Sequence, residues 1–368
     1  MLIALESPRR GQGKVVSRRS HKPEDSVRLR GPLPSLPRAV SRLRQWCCSV
    51  APVVLLAWAA LFLGGSSWQQ SADGPPERYT ECAWAPAQAQ VVCFGGYGIE
   101  ASGADYGILD ETWTLNSAGT WTYHLPVHRP PARSEHVVAT YQGGVVVVGG
   151  QDAVQVFSDT WTWDSADWTL DAHGGLPAIT RAGGAWAEWT ANECLIIVGG
   201  YHAGQLSPRV WYLRPSRLAW LSVLPPCGPG GRDYPAVAWD GQGLLMHGGS
   251  VAADTWRLSV AFAWQHLSNM GPGARLGQSM AYHEERGRVV LFGGWQSGSY
   301  YPDDAWEWDG SAWSLGAAPG PEGRFFPAMA YDGVRIMVYG GTQGFPWYYR
   351  DTWRYRIPAP PIGGGPVQ

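Results

Sequence analysis

The chain has 368 residues, of which 45% are apolar and only 16% charged, and it holds 22 Trp, 48 Gly and 29 Pro. Against roughly 25% charged residues in an average globular chain, this composition excludes coiled coils, helical solenoids and disordered chains and points to a turn-rich all-β protein. The net charge of −2 divides unevenly: residues 1–45 carry 11 Lys/Arg against 3 Asp/Glu, which leaves 17 against 27 for the acidic remainder. A body of that sign lacks the basic footprint of a nucleic-acid module.

Residues 1–45, with scattered Pro and Arg, read as a basic disordered tail on the cytoplasmic side. From Trp46 to Gly65 the chain carries no charge, and Val50 to Leu63 is dense in Val, Leu, Ala, Trp and Phe. This run predicts one hydrophobic helix, either a transmembrane anchor or a signal segment. Arg38, Arg42 and Arg44 precede it and the next charge after it is Asp73, so the positive-inside rule puts everything beyond it outside the cytoplasm. The body is then membrane-anchored, or secreted if the segment is cleaved at Gly64-Gly65-Ser66-Ser67. Cys47 and Cys48 stand at the cytoplasmic edge, where palmitoylation is one use of such thiols.

The body is built on a repeat. An apolar strand ending in Gly-Gly recurs at Gly95-Gly96, Gly149-Gly150, Gly199-Gly200, Gly248-Gly249, Gly293-Gly294 and Gly340-Gly341, at spacings of 54, 50, 49, 45 and 47 residues. A Trp strand follows each pair, at Trp113, Trp161, Trp211, Trp256, Trp306 and Trp353, and in three of the six units it opens with Asp-Thr. An Arg precedes each pair and opens another strand: Arg78, Arg133, Arg181, Arg232, Arg275 and Arg324. A further Trp marks a fourth strand in the first five units, at Trp121, Trp168, Trp220, Trp264 and Trp313. The sixth unit runs instead into Ile357-Pro358-Ala359-Pro360-Pro361, which cannot complete a ladder. Trp68 lies ten residues before Arg78 and supplies the missing strand, so a circular array is closed by its own N-terminus without leaving unpaired edges.

These motifs resemble the kelch family of β-propellers over residues 68–358. The resemblance implies an all-β, six-bladed β-propeller of four-stranded antiparallel blades, with the Arg-bearing strand innermost. Its start then lies at the channel mouth beside the loops after Gly-Gly, the face that kelch modules commonly use for partners. The propeller spans 66–358, and 359–368 form a Pro/Gly-rich tail. The third unit departs most, with Arg209-Val210-Trp211 in place of Asp-Thr-Trp, and its loop is expected to be distorted.

No phosphate loop, HExxH or zinc-spaced cysteine pair is present, so no catalytic residue, metal ligand or cofactor is assigned. His247 and His283 read as structural. Cys82 and Cys93 flank a hairpin centred on Pro86-Ala87-Gln88-Ala89 and face each other, which allows a cross-strand disulfide in an oxidising compartment; buried free thiols are the alternative. Cys194 and Cys227 are a second candidate pair. The six Arg either fix blade geometry, through loop carbonyls or acids such as Asp159 and Asp351, or recognise a carboxylate-bearing ligand at the channel mouth. The loops after Gly-Gly carry Tyr97, Tyr106, Trp295, Tyr300, Tyr301, Trp347, Tyr348 and Tyr349, contact residues of a kind that rigid scaffolds present to ligands. Asp303 and Asp304 beside Tyr300 suggest added hydrogen bonding or a weak calcium site. The expected function is an extracytoplasmic binding module for a protein or glycan. The alternative is a carbohydrate-active enzyme, either like the copper-radical oxidases, which share the repeat, or like a sugar epimerase.

Overall fold

A computed structural model describes residues 65–359 apart from positions 104, 173, 189–192, 218 and 251. The basic tail, the apolar segment up to residue 64 with Cys47 and Cys48, and residues 360–368 lie outside the described residues. Among the described residues the one helix is a 3-10 turn at Glu284–Arg286, and none is long and apolar enough to cross a membrane.

Six antiparallel sheets, the blades, each have four principal strands. Blade 1 runs from the axis outward as Arg78–Ala85, Gln90–Ile99, Thr112–Asn116 and Trp121–His124. The inner strands of the other blades are Val137–Tyr141, Ile179–Ala187, Ala236–Trp239, Leu276–His283 and Ala328–Tyr331. Each inner strand touches the next, and the sixth touches the first, so the strands ring a central channel. Runs such as Val145–Val148 are fully buried because both faces of the blade pack against neighbours, which is why they lack polar alternation. Blade 6 consists of Ala328–Tyr331, Ile336–Tyr339, Thr352–Arg356 and the N-terminal strand Ser67–Gln70, with Trp68 opposite Tyr355. The first and last strands of the propeller meet in one sheet, as the unit count predicts.

The glycine pairs staple the ring. In every blade the N–H of the second glycine donates to a carbonyl on the following blade: Gly96 to Arg133, Gly150 to Ile179, Gly200 to Arg232, Gly249 to Arg275, Gly294 to Arg324 and Gly341 to Arg78. Both positions require glycine: a Cβ on Gly95 would stand 2.7 Å from the Arg133 carbonyl oxygen of the next blade, and one on Gly96, where φ is +93°, 1.9 Å from the Tyr79 carbonyl oxygen of its own blade.

Cys82 and Cys93 are opposed in blade 1 and form a disulfide. The second bridge does not form: Cys194 is buried in the third blade, Cys227 is exposed in the loop leading to Arg232, and both are free.

Candidate functional site

The Arg residues and the loops after Gly-Gly share one face of the propeller, and the short hairpins between inner and second strands share the other. On the first face each acid that opens a Trp strand serves two donors. Asp159 accepts from both guanidinium nitrogens of Arg133 at 2.5 and 2.9 Å and from Trp161 Nε1 at 2.8 Å. Asp254 holds Arg232 and Trp256, Asp304 holds Arg275 and Trp306, and Asp351 holds Arg324 and Trp353. In blade 1 Glu111 binds Arg78 and Trp113. Burial pushes the carboxyl groups of Asp159, Asp254 and Asp304 up, but the Arg charge and hydrogen bonds outweigh it and hold them below the usual carboxylate range. All five of these Arg are buried and turned inward, so they fix blade geometry and offer a ligand no guanidinium. Asp304 is likewise taken up by Arg275, which leaves Asp303 without its companion for a calcium site.

Blade 3 differs in register. Ile179, not Arg181, occupies the position of the repeat Arg, because its carbonyl receives the staple from Gly150. The acid is lost with it: Arg209 stands where the others have Asp or Glu, and the Trp211 indole N–H is buried without a partner. Arg181 is thereby released to the channel mouth.

There it joins a collar formed by the residue two after each repeat position: Glu135, Arg181, Tyr234, Gly277 and Phe326, with Tyr79 from blade 1. The first five all have positive φ, 57°, 61°, 48°, 63° and 53° in that order. Their backbones link hand to hand: Arg181 N–H donates to Glu135 O, Tyr234 to Arg181, Gly277 to Tyr234 and Phe326 to Gly277. Four non-glycine residues in the left-handed region are strained conformers held by their surroundings, a pattern concentrated at functional sites. Glu135 accepts from Tyr234 Oη at 2.5 Å, Gln151 Nε2 at 2.6 Å, Thr180 Oγ1 at 2.9 Å and Arg181 Nε at 3.0 Å. Asp233 lies 3.7 Å from Arg181 Nη1, and the guanidinium sits over the Tyr201 and Tyr234 rings at 5.5 and 5.2 Å. Burial, then the charge and hydrogen bond of Glu135, push the Tyr234 hydroxyl far up. The collar encloses a cavity of about 20 Å³. Of the six Arg named from sequence, the structure places Arg181 alone here. Glu135, Tyr234 and Phe326 were missed, although counting two residues on from each repeat Arg finds them.

Beside the collar the loops of blades 1 and 6 interleave. Tyr79 stacks with Tyr97 and Tyr348 at 6.2 and 6.4 Å between centroids, Tyr106 meets Tyr348 at 5.4 Å and Phe345 at 5.7 Å, and Phe345 and Trp347 remain 72% and 68% exposed. Tyr349 has a structural part, with Arg324 over its ring at 3.8 Å and its hydroxyl donating to Glu322. Trp295 ends the second strand of blade 5, Tyr300 is exposed in the loop after it, and the Tyr301 hydroxyl reaches Gly344 in the blade 6 loop. Exposed apolar side chains gather on this face, including Leu125, Val127, Val154 and Met270, whereas the opposite loops expose only Val260 and Val334 among the described residues. The described residues contain no group of three or more His, Cys, Asp and Glu placed to hold a metal ion. His247 is buried and bonded at both ring nitrogens, to Thr255 Oγ1 and the Gly273 carbonyl.

A family model, the KLHDC2/KLHL20/DRC7 Kelch-repeats domain, matches residues 63–249. The chain belongs to the kelch-repeat family. Kelch domains are typically protein-interaction modules. No curated protein matches the chain significantly.

Proposed function

We propose that this kelch propeller is an extracytoplasmic docking module whose Arg-bearing face receives a partner protein. The observation that carries the reading is the Tyr97–Tyr106–Phe345–Trp347–Tyr348 platform, rigidly seated beside the collar with two large rings exposed. Aromatic rings on a fixed scaffold offer large apolar contact at little entropic cost. Arg181 at the collar is about one-third exposed and its charge is matched by Glu135 and Asp233, so it orients a partner rather than anchoring a lone carboxylate. The same platform suits stacking on a glycan, which remains the second ligand class. Placement outside the cytoplasm rests on the apolar run 46–65 with its Arg-rich flank and on the Cys82–Cys93 disulfide.

A tight titratable cluster at the mouth is what an enzyme requires, and Glu135, Tyr234 and Arg181 form one. Their mutual bonds argue for binding instead: Glu135 has four donors already, and Tyr234 is held far from the range of a proton donor at neutral pH. The test is affinity capture with the purified chain and its Phe345→Ser/Trp347→Ser variant, alongside a glycan array. Proteins retained by the parent and lost by the variant support the reading. An identical protein set, or ligands confined to glycans, overturns it.

A further inference from the structure

Below the collar the channel widens toward the hairpin face. A cavity of about 100 Å³ lies between the inner strands and one of about 170 Å³ opens at the far end, the two sharing Val138, Val237, Met280 and Met329 as walls. The wide mouth carries an aromatic side chain from five of the six blades, Trp84, Trp186, Trp239, Tyr282 and Tyr331, with Glu188 and Glu284 at its rim. At the narrow end stands Glu81, which borders both the collar cavity and the middle one. It is partly buried and faces the channel, its carboxyl accepts no hydrogen bond from a described residue, and desolvation alone raises that carboxyl to about 8. Neither Glu188 nor Glu284 forms an ion pair with a described residue, and no Lys or Arg lines the middle or wide cavity.

We propose that this channel, reached from the hairpin face, binds an aliphatic polyamine, with one ammonium group at Glu81 and another at the Glu188–Glu284 rim. The chemistry is selective. An anion finds no Lys or Arg in the middle or wide cavity, whereas an ammonium group at Glu81 takes the place of the proton that desolvation holds there. A neutral apolar ligand fills the walls but cuts Glu81 off from channel water without giving it a partner. A chain of methylenes between ammonium groups satisfies the apolar middle, both acidic ends and the aromatic faces, which attract alkylammonium ions. Glu188 lies about five residues further along its strand than Glu81 does along the equivalent one, so the ends are roughly 15 Å apart at ~3.3 Å per residue. That span suits an extended linear tetraamine better than a short diamine. The site lies on the face opposite the docking platform and is independent of it.

The test is calorimetric titration of the full chain with spermine and with 1,4-diaminobutane. Saturable one-to-one binding of spermine is expected, tighter than that of the diamine. Glu81→Gln, an isosteric change that relieves a desolvated acid and leaves the fold intact by near-UV circular dichroism, is expected to weaken it tenfold or more. Glu188→Gln/Glu284→Gln should weaken spermine more than the diamine, while Glu100→Gln on the docking face has no effect. Absence of saturable heat, or equal affinity in Glu81→Gln, overturns the proposal, the latter by showing only diffuse attraction to the acidic body.

Discussion

Asp159→Ala isolates the clamp that the repeat encodes. Arg133 is fully buried, and in the folded chain its nearest anion is Asp159, which also holds the Trp161 indole N–H. Removing the acid leaves a guanidinium that, among the described residues, donates only to the Gly149 and Pro131 carbonyls, and an indole donor without its partner. Breaking a buried pair from one side costs about 3–5 kcal/mol. At roughly 2 °C per kcal/mol for a domain of this size, the unfolding midpoint should fall by about 6–10 °C. Blade 3 shows that the clamp is dispensable when both charges go, since Ile179 replaces the Arg and Arg209 the acid. Arg133→Ile/Asp159→Ala should therefore recover at least half of the loss. The assays are thermal unfolding for the midpoint and denaturant unfolding for the free energy, both followed by Trp fluorescence. A single variant within about 1 kcal/mol of the parent, or a double variant worse than the single, refutes the reasoning.

Three further outcomes follow. Trp68→Ala removes a ring set edge-on to Tyr355 at 4.6 Å and Phe292 at 5.4 Å, with its Nε1 donating to the Ala317 carbonyl. It should cost about 2–4 kcal/mol in denaturant unfolding, and an unchanged midpoint would reject the N-terminal strand as the seam. Gly96→Ala drives a Cβ into the Tyr79 carbonyl and should abolish soluble expression, whereas Gly103→Ala, with φ +77° but open space around it, should cost only about 1 kcal/mol. Glu81 keeps its proton in the fold up to about pH 8 while the unfolded chain releases it near the ordinary carboxylate value, so parent stability falls as pH rises through that window. Glu81→Gln should match the parent at acid pH, gain progressively to pH 8 and then level off. In that background, burial lowers His136 to about 3 and His247 to about 4. Both stay neutral in the fold while the unfolded chain takes up protons, so stability should fall on acidification below about pH 6.5. Parallel urea titrations of parent and variant across pH 4 to 9 check both signs.

The architecture was legible because each repeat letter has a mechanical part. Glycine pairs mark the staples, the acid before Trp marks the clamp, and the missing sixth outer Trp marks a strand borrowed from Trp68. The site was less legible, because motif letters do not fix register. Arg181 looks like a repeat Arg, yet strand pairing sets Ile179 opposite His202 and moves Arg181 two residues on, into the collar. The collar residues share no letter: Glu135, Arg181, Tyr234, Gly277 and Phe326 have in common a left-handed backbone and a place in the ring. Glu81 was invisible for a similar reason, since an acid among strand residues acquires its character only when six inner strands enclose it. The Cys194–Cys227 pairing failed because an even count of thiols carries no distances.

The most direct test of the docking account is mass spectrometry of the chain cross-linked to a captured partner by a photoreactive diazirine carried on the partner, which inserts at any side chain. The account predicts partner cross-links on the loops around 97–110 and 343–349. Cross-links confined to the opposite hairpins, around 86–89 and 259–263, would contradict it.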